Sequence, residues 1–204
     1  MIVHPPHGIY VRFVKPSFDR LVGFCIFVVF LPVTAVVALA VRLSLGSPVF
    51  FRQRRVGRRD QEFDVYKFRT MGHDRRREHA PVEQDRRQTH KSDADPRHTR
   101  VGRFLRKWSF DELPQFWNVV CGDMSLVGPR PELVEIVARY EPWQHQRHLV
   151  KPGLTGLWQV SSRGTGMMHL HTEIDLEYIE KMGPITDLKI LLLTIPATLR
   201  RRGH

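Results

Sequence analysis

The sequence predicts an α+β fold associated with a membrane: an N-terminal hydrophobic helix, a small β-hairpin or sheet, and several amphipathic interfacial helices. Three observations lead there. Leu21 to Val41, LVGFCIFVVFLPVTAVVALAV, carries no charge, and as a helix it would reach roughly 31 Å, about the hydrocarbon thickness of a bilayer. Residues 48–70 are rich in β-branched and aromatic residues and alternate apolar with polar. Later segments place apolar residues at helical spacing beside basic ones.

The chain has 204 residues, enough for one domain with an appendage. Composition divides it into an N-terminal segment, 1–45, and a domain over 46–204. A formal charge of +11, from 32 basic and 21 acidic residues, favours an anionic partner. Nucleic acid, an anionic membrane and a phosphorylated substrate all qualify. Cys25 and Cys121 give neither a disulfide framework nor a zinc pattern. Read as reduced, they suit a cytosolic face.

The apolar run is too long for a signal-peptide core and runs straight into Arg42. A spanning helix is the default reading. Against it, Pro32 lies mid-segment and removes a backbone hydrogen bond, which favours a kink. Both flanks are also basic: Arg12, Lys15 and Arg20 before, Arg42, Arg52, Arg54, Arg55, Arg58 and Arg59 after. The positive-inside tendency pulls both ends to one side. A re-entrant helix broken at Pro32 satisfies both details, and the two readings stand level.

Residues 48–70 predict a hairpin, with Arg54 to Asp60 as a basic turn and Lys67 and Arg69 on one face. Residues 72–98 are polar and charged and build no core, so they read as a mobile loop or solvated helix. His73, His79, His90 and His98 show no metal-ligand spacing. Val101, Phe104, Leu105 and Trp108 fall on one helical face, with Arg100, Arg103 and Lys107 largely off it. That helix faces either the core or the membrane interface, and its neighbouring apolar run favours the interface.

Next come Asp111 and Glu112, just after the cations Arg100, Arg103, Arg106 and Lys107. Basic side chains hold phosphates, and an acidic pair holds a divalent metal or supplies a nucleophile and its helper. The plainer reading is equally strong: Ser109-x-x-Glu112 fits a helix capping box, and Asp111 suits a helix N-terminus. Phe116 to Cys121 continues a helix that Gly122-Asp123 ends. Pro129 and Pro131 fix a turn holding Arg130 between them. Leu133–Tyr140 is a short helix, and Lys151 to Val160 is a turn leading into a strand-like run. Glu173 to Lys181 and Asp187 to Arg202 are helices, the last interfacial with a basic end.

Several long motifs occur in order. They include Gln53-Arg54-Arg55-Val56-Gly57, Tyr66 to Met71, Asp95-Pro96-Arg97 with Thr99 to Gly102, Ser109 to Gln115, Gly122 to Glu132, Lys151 to Val160, and Asp187 to Ile190. In these, roughly from residue 15 to 202, the chain closely resembles the bacterial sugar transferases, monotopic phosphoglycosyl transferases that start surface-glycan and exopolysaccharide assembly.

The resemblance implies a reaction: a phospho-sugar passes from a UDP-sugar to polyprenyl (undecaprenyl) phosphate, giving polyprenyl diphosphate sugar and UMP. It implies Asp111 as the nucleophile, through a covalent aspartyl intermediate, and as a contact for Mg²⁺, with Glu112 assisting. Arg106 matches a phosphate-holding position. Arg55, Lys67, Arg69 and Arg130 match further basic positions. Asp175 and Gln159 match positions in the substrate region. The re-entrant geometry at Pro32, the cytoplasmic face of the bacterial inner membrane, and a small catalytic-core form are implied as well. Expected partners are UDP-sugar, polyprenyl phosphate and membrane lipid, with no nucleic acid; a homodimer is left open. Two departures stand out. Leu31-Pro32 replaces the family's usual Ser-Pro, and Ser161-Ser162-Arg163 replaces Ser-Gly-Arg, which would strain a turn needing a glycine with positive φ. The Gly-Leu-Trp-Gln-Val form is reminiscent of members using glucose or galactose phosphate, but the sequence identifies neither the sugar nor the glycan pathway. A membrane-tethered nucleic-acid-binding protein and an inactive scaffold of a glycan-assembly complex are the rival readings. The first lacks a base-reading motif, and the second is disfavoured because both acidic residues remain.

Overall fold

The computed structural model describes residues 3, 4, 7–72, 99–161 and 171–200, excluding the side chains of 199 and 200. The charged stretch with His73, His79, His90 and His98 lies outside the described residues, apart from position 72. So do Ser162, Arg163, Gly164 and the basic end at 201–202.

A π-helical turn, Tyr10–Val14, leads into α1 (Lys15–Val29), and α2 (Leu31–Leu45) follows after one residue, Phe30. The two arms bend by 59°. The expected break at Pro32 falls at Phe30 instead. Pro32 has no N–H, and its ring would collide with the carbonyl of Val28 in a continuous helix, so α1 ends first and the proline sits in the first turn of α2. Among the described residues no single helix is long and apolar enough to cross a membrane; the bent pair meets that length and composition only together.

β1 (Phe50–Val56) and β2 (Glu62–Phe68) form the expected antiparallel hairpin, Phe50 opposite Phe68 and Val56 opposite Glu62. The basic turn is shorter than expected, because Arg54, Arg55 and Val56 stay in the strand; only a 3₁₀ turn, Arg58–Asp60, joins the arms. α3 (Arg100–Lys107) starts at Thr99, whose hydroxyl accepts the Gly102 N–H at 2.9 Å. α4 (Gln115–Cys121) ends at Gly122, at φ 88°, the left-handed conformation that favours glycine. β3 (Ser125–Val127) follows, and β4 (Glu132–Leu133) adds to β1 to give the sheet order β2-β1-β4. After α5 (Val134–Val137) and a 3₁₀ turn, Gln144–Leu149, β5 (Gly153–Thr155) pairs parallel with β3. The strand-like run is therefore short: Leu157–Val160 winds into α6. α7 (Thr172–Glu180) and α8 (Pro184–Arg200) complete the described fold.

The main core gathers Val65, Val119, Met124, Leu126, Val127, Leu176, Tyr178, Ile179 and Ile190. A second cluster, Val37, Val41, Phe68 and Leu105, fastens α2 to the hairpin and α3. α1 lies against α4, where Gly23 leaves room: a Cβ there would stand 2.9 Å from Val119. A buried polar knot pins the start of α1. Lys15 pairs with Asp187 at 2.6 Å, Ser125 donates to Asp19 at 2.5 Å, and Tyr178 donates to Asp187 at 2.8 Å. Paired charges and satisfied hydroxyls let this knot sit inside the fold.

The apolar face of α3 divides. Leu105 is buried in the core, while Phe104 and Trp108 are exposed beside Phe110, with ring centroids 6.2 to 6.4 Å apart. The expected face thus packs only in part against the core.

Candidate active site

Asp111 and Glu112 sit in a 3₁₀ turn, Phe110–Glu112, between α3 and α4. The capping-box reading fails here. Ser109 adopts φ 56°, and its side chain caps nothing. In that left-handed conformation the chain turns away from the geometry an N-cap requires. Glu112 faces the sheet instead: its Oε1 accepts from Lys67 Nζ at 2.7 Å and from Arg130 Nη2 at 3.3 Å.

The two carboxylates sit in different electrostatic settings. Burial opposes ionisation of Glu112, but Lys67 and Arg130 overcome it and hold the carboxyl well below the usual range. Asp111 is only 9 % exposed. Burial, then the charge of Glu112, push its pKa up to about 6, against Lys67, its own backbone amide and Arg106. The pair therefore splits: Glu112 is a fixed anion, and Asp111 is the carboxylate whose charge is least compensated.

Neighbouring cations are held rigidly. Arg55, on β1, donates to Gln53 Oε1 at 2.7 Å and to the Pro131 carbonyl at 3.1 Å, with Glu132 3.6 Å away. Burial, then the charge of Arg130, lower its pKa to about 10. Two guanidinium groups gathered this closely suit an anionic ligand.

Beside Glu112 opens a pocket of about 470 Å³. Phe18, Val22 and Ile26 of α1, Leu191 of α8, and Leu126 and Leu154 give it apolar walls. Ser109, Glu112, Arg130 and Gln159 supply polar groups. Asp111 is not among the lining residues and stands next to them in sequence. The arrangement offers an anion site opening onto an apolar cleft between two helices.

Asp111, Glu112, Lys67, Arg106, Arg55 and Arg130 thus form one charged neighbourhood, and Gln159 lines the adjoining pocket. Two anticipated site residues are elsewhere. Arg69 follows β2 by one residue, its N–H still donating to the Val49 carbonyl at 2.9 Å. Its guanidinium instead donates to the carbonyls of Leu45, Gly46 and Ser47 and closes the C-terminus of α2. Asp175 is 1 % exposed and pairs with Arg147 at 2.7 Å. Arg147 in turn donates to the Arg130 carbonyl at 2.8 Å, so Asp175 acts at second hand, as support for the Arg130 turn. Sequence reasoning missed Arg147, which sits in the polar run Gln144–Leu149 with nothing to mark it as buried. It also missed Asn118, fully buried, which accepts from the Tyr66 N–H and donates to the Asp64 carbonyl, locking α4 to β2.

Known proteins resemble the chain along most of its length. The family model described as "Bacterial sugar transferase" matches residues 10–201. A galactosyl transferase of Streptococcus agalactiae is 42% identical over 163 residues, 78% of this chain and 36% of its own length. The UDP-glucose:undecaprenyl-phosphate glucose-1-phosphate transferase of Escherichia coli is 41% identical over 192 residues, 90% of this chain and 40% of its own. The exopolysaccharide production protein ExoY of Rhizobium meliloti is 38% identical over 196 residues, 93% of this chain and 87% of its own. The chain spans well under half the length of the first two relatives and most of the third. By the extent of the family match and its likeness along nearly all of ExoY, the chain belongs to the bacterial sugar transferases.

Proposed function

We propose that the chain transfers a phospho-sugar from a UDP-sugar to a polyprenyl phosphate, giving a polyprenyl diphosphate sugar and UMP. The observation that carries this reading is the acidic turn itself, set among Lys67, Arg106, Arg55 and Arg130 beside an apolar pocket. The cations match a diphosphate, and the apolar cleft matches a lipid acceptor.

An Asp111 oxygen attacks the phosphorus that bears the sugar. As the new O–P bond forms, the bond to the UMP oxygen breaks and UMP leaves. A polyprenyl phosphate oxygen then attacks the same phosphorus, and Asp111 departs as carboxylate. Glu112 stays ionised and keeps Lys67 and Arg130 in place. Arg106 and Arg130 offset the charge that builds on the phosphoryl oxygens.

The acidic pair fits Mg²⁺, which takes one or two hard carboxylate oxygens and leaves its other positions to water and substrate phosphate. Asp111, with its raised pKa beside a second carboxylate, is where a cation would relieve repulsion. When bound, Mg²⁺ supplies positive charge against the phosphate oxygens.

The bent α1–α2 pair enters and leaves the cytoplasmic face of the bacterial inner membrane in this reading. Its support is the bend of 59° and the exposed Phe24, Val28, Val29, Leu31, Val36 and Leu39. The exposed Phe104 of α3, Trp108 just after it, and Leu188 and Leu192 of α8 would lie at the interface.

The test is UMP release by the detergent-purified protein across a panel of UDP-sugars with polyprenyl phosphate. Release with at least one sugar is expected. Silence across a panel of hexose and N-acetylhexosamine donors, with Mg²⁺ present, would contradict the proposal.

The pH profile carries a second expectation. The attacking carboxylate must be ionised, so activity holds above about pH 6 and falls as pH drops through the Asp111 pKa. Lys67 lowers that pKa and Glu112 raises it. The acid limb should therefore move to higher pH in Lys67→Met and to lower pH in Glu112→Gln. Limbs that stay put in both variants would show that another group governs the profile.

A further inference from the structure

Asp60, His145 and His148 meet outside the pocket described above. Arg59 and Asp60 both adopt positive φ, 56° and 57°, at the tip of the β1–β2 hairpin. Few non-glycine residues hold that conformation, and here it turns Asp60 toward the 3₁₀ segment Gln144–Leu149. A 3₁₀ turn brings i and i+3 onto one side, so His145 and His148 face Asp60 together. Their Nδ1 atoms stand 2.9 and 2.6 Å from the same oxygen, Asp60 Oδ1. Tyr140 packs behind them, stacked on His148 at 6.1 Å and edge-on to His145 at 5.7 Å.

The protonation states suit ligation. Burial drives the His148 pKa down to about 4, so its imidazole is neutral at pH 7. Burial opposes ionisation of Asp60, but its hydrogen bonds to the two histidines hold the carboxyl below its ordinary range. Binding through Nδ1 puts the imidazole proton on Nε2. In His148 that atom is buried without a hydrogen-bond partner among the described residues, so ligation through Nδ1 would leave its N–H unsatisfied, a cost the metal bond must exceed.

We propose that Asp60, His145 and His148 form a binding site for a divalent transition-metal ion, with zinc as the test case. Two imidazole nitrogens and one carboxylate oxygen are the donor set such ions take, with open positions left for water. All three ligand atoms lie within 4.8 Å of one another. Tetrahedral bonds of about 2.0–2.2 Å set the ligand atoms roughly 3.4 Å apart, so Asp60 Oδ1, now 2.9 Å from His145 Nδ1 and 2.6 Å from His148 Nδ1, would have to move out by about half to one ångström. Asp60 and His145 have side chains 50 % and 38 % exposed, so they have room to open. The ion would clamp the hairpin tip to the segment carrying Arg147, which holds the Arg130 carbonyl. Mg²⁺ prefers all-oxygen shells and would not compete.

The test is calorimetric titration of the chelator-treated full chain with Zn²⁺ under excess Mg²⁺, repeated with Co²⁺ and its visible ligand-field absorption. Asp60→Asn and His145→Ala change exposed side chains, and matching circular dichroism would confirm that they fold. The wild type is expected to bind one equivalent at least about tenfold more tightly than either variant, because each variant lacks one of three ligands. Asp111→Asn should bind like the wild type. Equal stoichiometry and affinity in wild type, Asp60→Asn and His145→Ala would overturn the site, as would a Co²⁺ spectrum that neither variant alters.

Discussion

Asp111→Asn is expected to bring UMP release down to background, a loss of at least about 10³-fold, while leaving the protein as stable as before or more so. Loss on this scale is typical when a nucleophile is removed, since the remaining groups bind but cannot form the bond. The stability half follows from the same residue's surroundings. Asp111 is buried next to Glu112, and its pKa is raised to about 6. A carboxyl whose folded pKa lies above its unfolded value is penalised in its ionised form, so at pH 7 the folded state carries a cost that asparagine removes. For a shift from 3.8 to about 6 that cost is up to about 3 kcal/mol. A melting temperature that rises as activity vanishes separates a catalytic carboxylate from a structural one, whose loss would lower both.

The second large effect concerns Arg147, which never reaches the pocket. Arg147→Met should destabilise the protein by about 3–5 kcal/mol, the usual cost of stripping one partner from a buried ion pair. Asp175, 1 % exposed, would be left without its counter-charge. Burial has already pushed the Asp175 pKa up to about 6 against the pull of Arg147, and losing Arg147 raises it further. The sign is then fixed. A group with a raised folded pKa is tolerated at low pH and penalised as pH rises through that value. The variant should melt closer to wild type at pH 5 than at pH 8. Arg147→Met with Asp175→Leu should recover much of the stability, because an apolar pair can replace a buried ion pair. Activity should not recover with it: the Arg130 carbonyl has still lost its 2.8 Å anchor. Urea or thermal melts beside UDP-sugar KM values would read both halves.

Arg147 also marks where sequence reading reaches its limit. The apolar run, the hairpin and the helices around 100–107, 115–121 and 172–180 were legible because local patterns produce them, among them period 3.6, period 2 and a terminal glycine. The break near Pro32 was legible to within two residues, since a proline disrupts the turn before it. Asp111, Glu112, Lys67 and Arg130 were legible through motif order, but not their pairing, which joins β2, the acidic turn and the Pro129–Pro131 turn across long sequence separations. The contacts of Arg69 with the carbonyls at the end of α2 were not legible, because they join residues 22 and 23 apart in sequence. Asp175 and Arg147 look like surface charges in sequence. Only the packing of α7 against the Gln144–Leu149 turn buries them together. The same holds for Asp60 and His145, 85 residues apart.

The claim at the centre is that Asp111 carries the phospho-sugar between donor and acceptor. Intact-mass spectrometry of the protein with UDP-sugar and Mg²⁺, but no polyprenyl phosphate, tests it most directly. The expected result is a mass increase of one phospho-sugar, mapped by peptide analysis to Asp111, with one equivalent of UMP released. Adding polyprenyl phosphate should discharge the adduct, and Asp111→Asn should never form it. An unmodified protein that releases UMP only after acceptor is added, under conditions that support full turnover, would contradict the account.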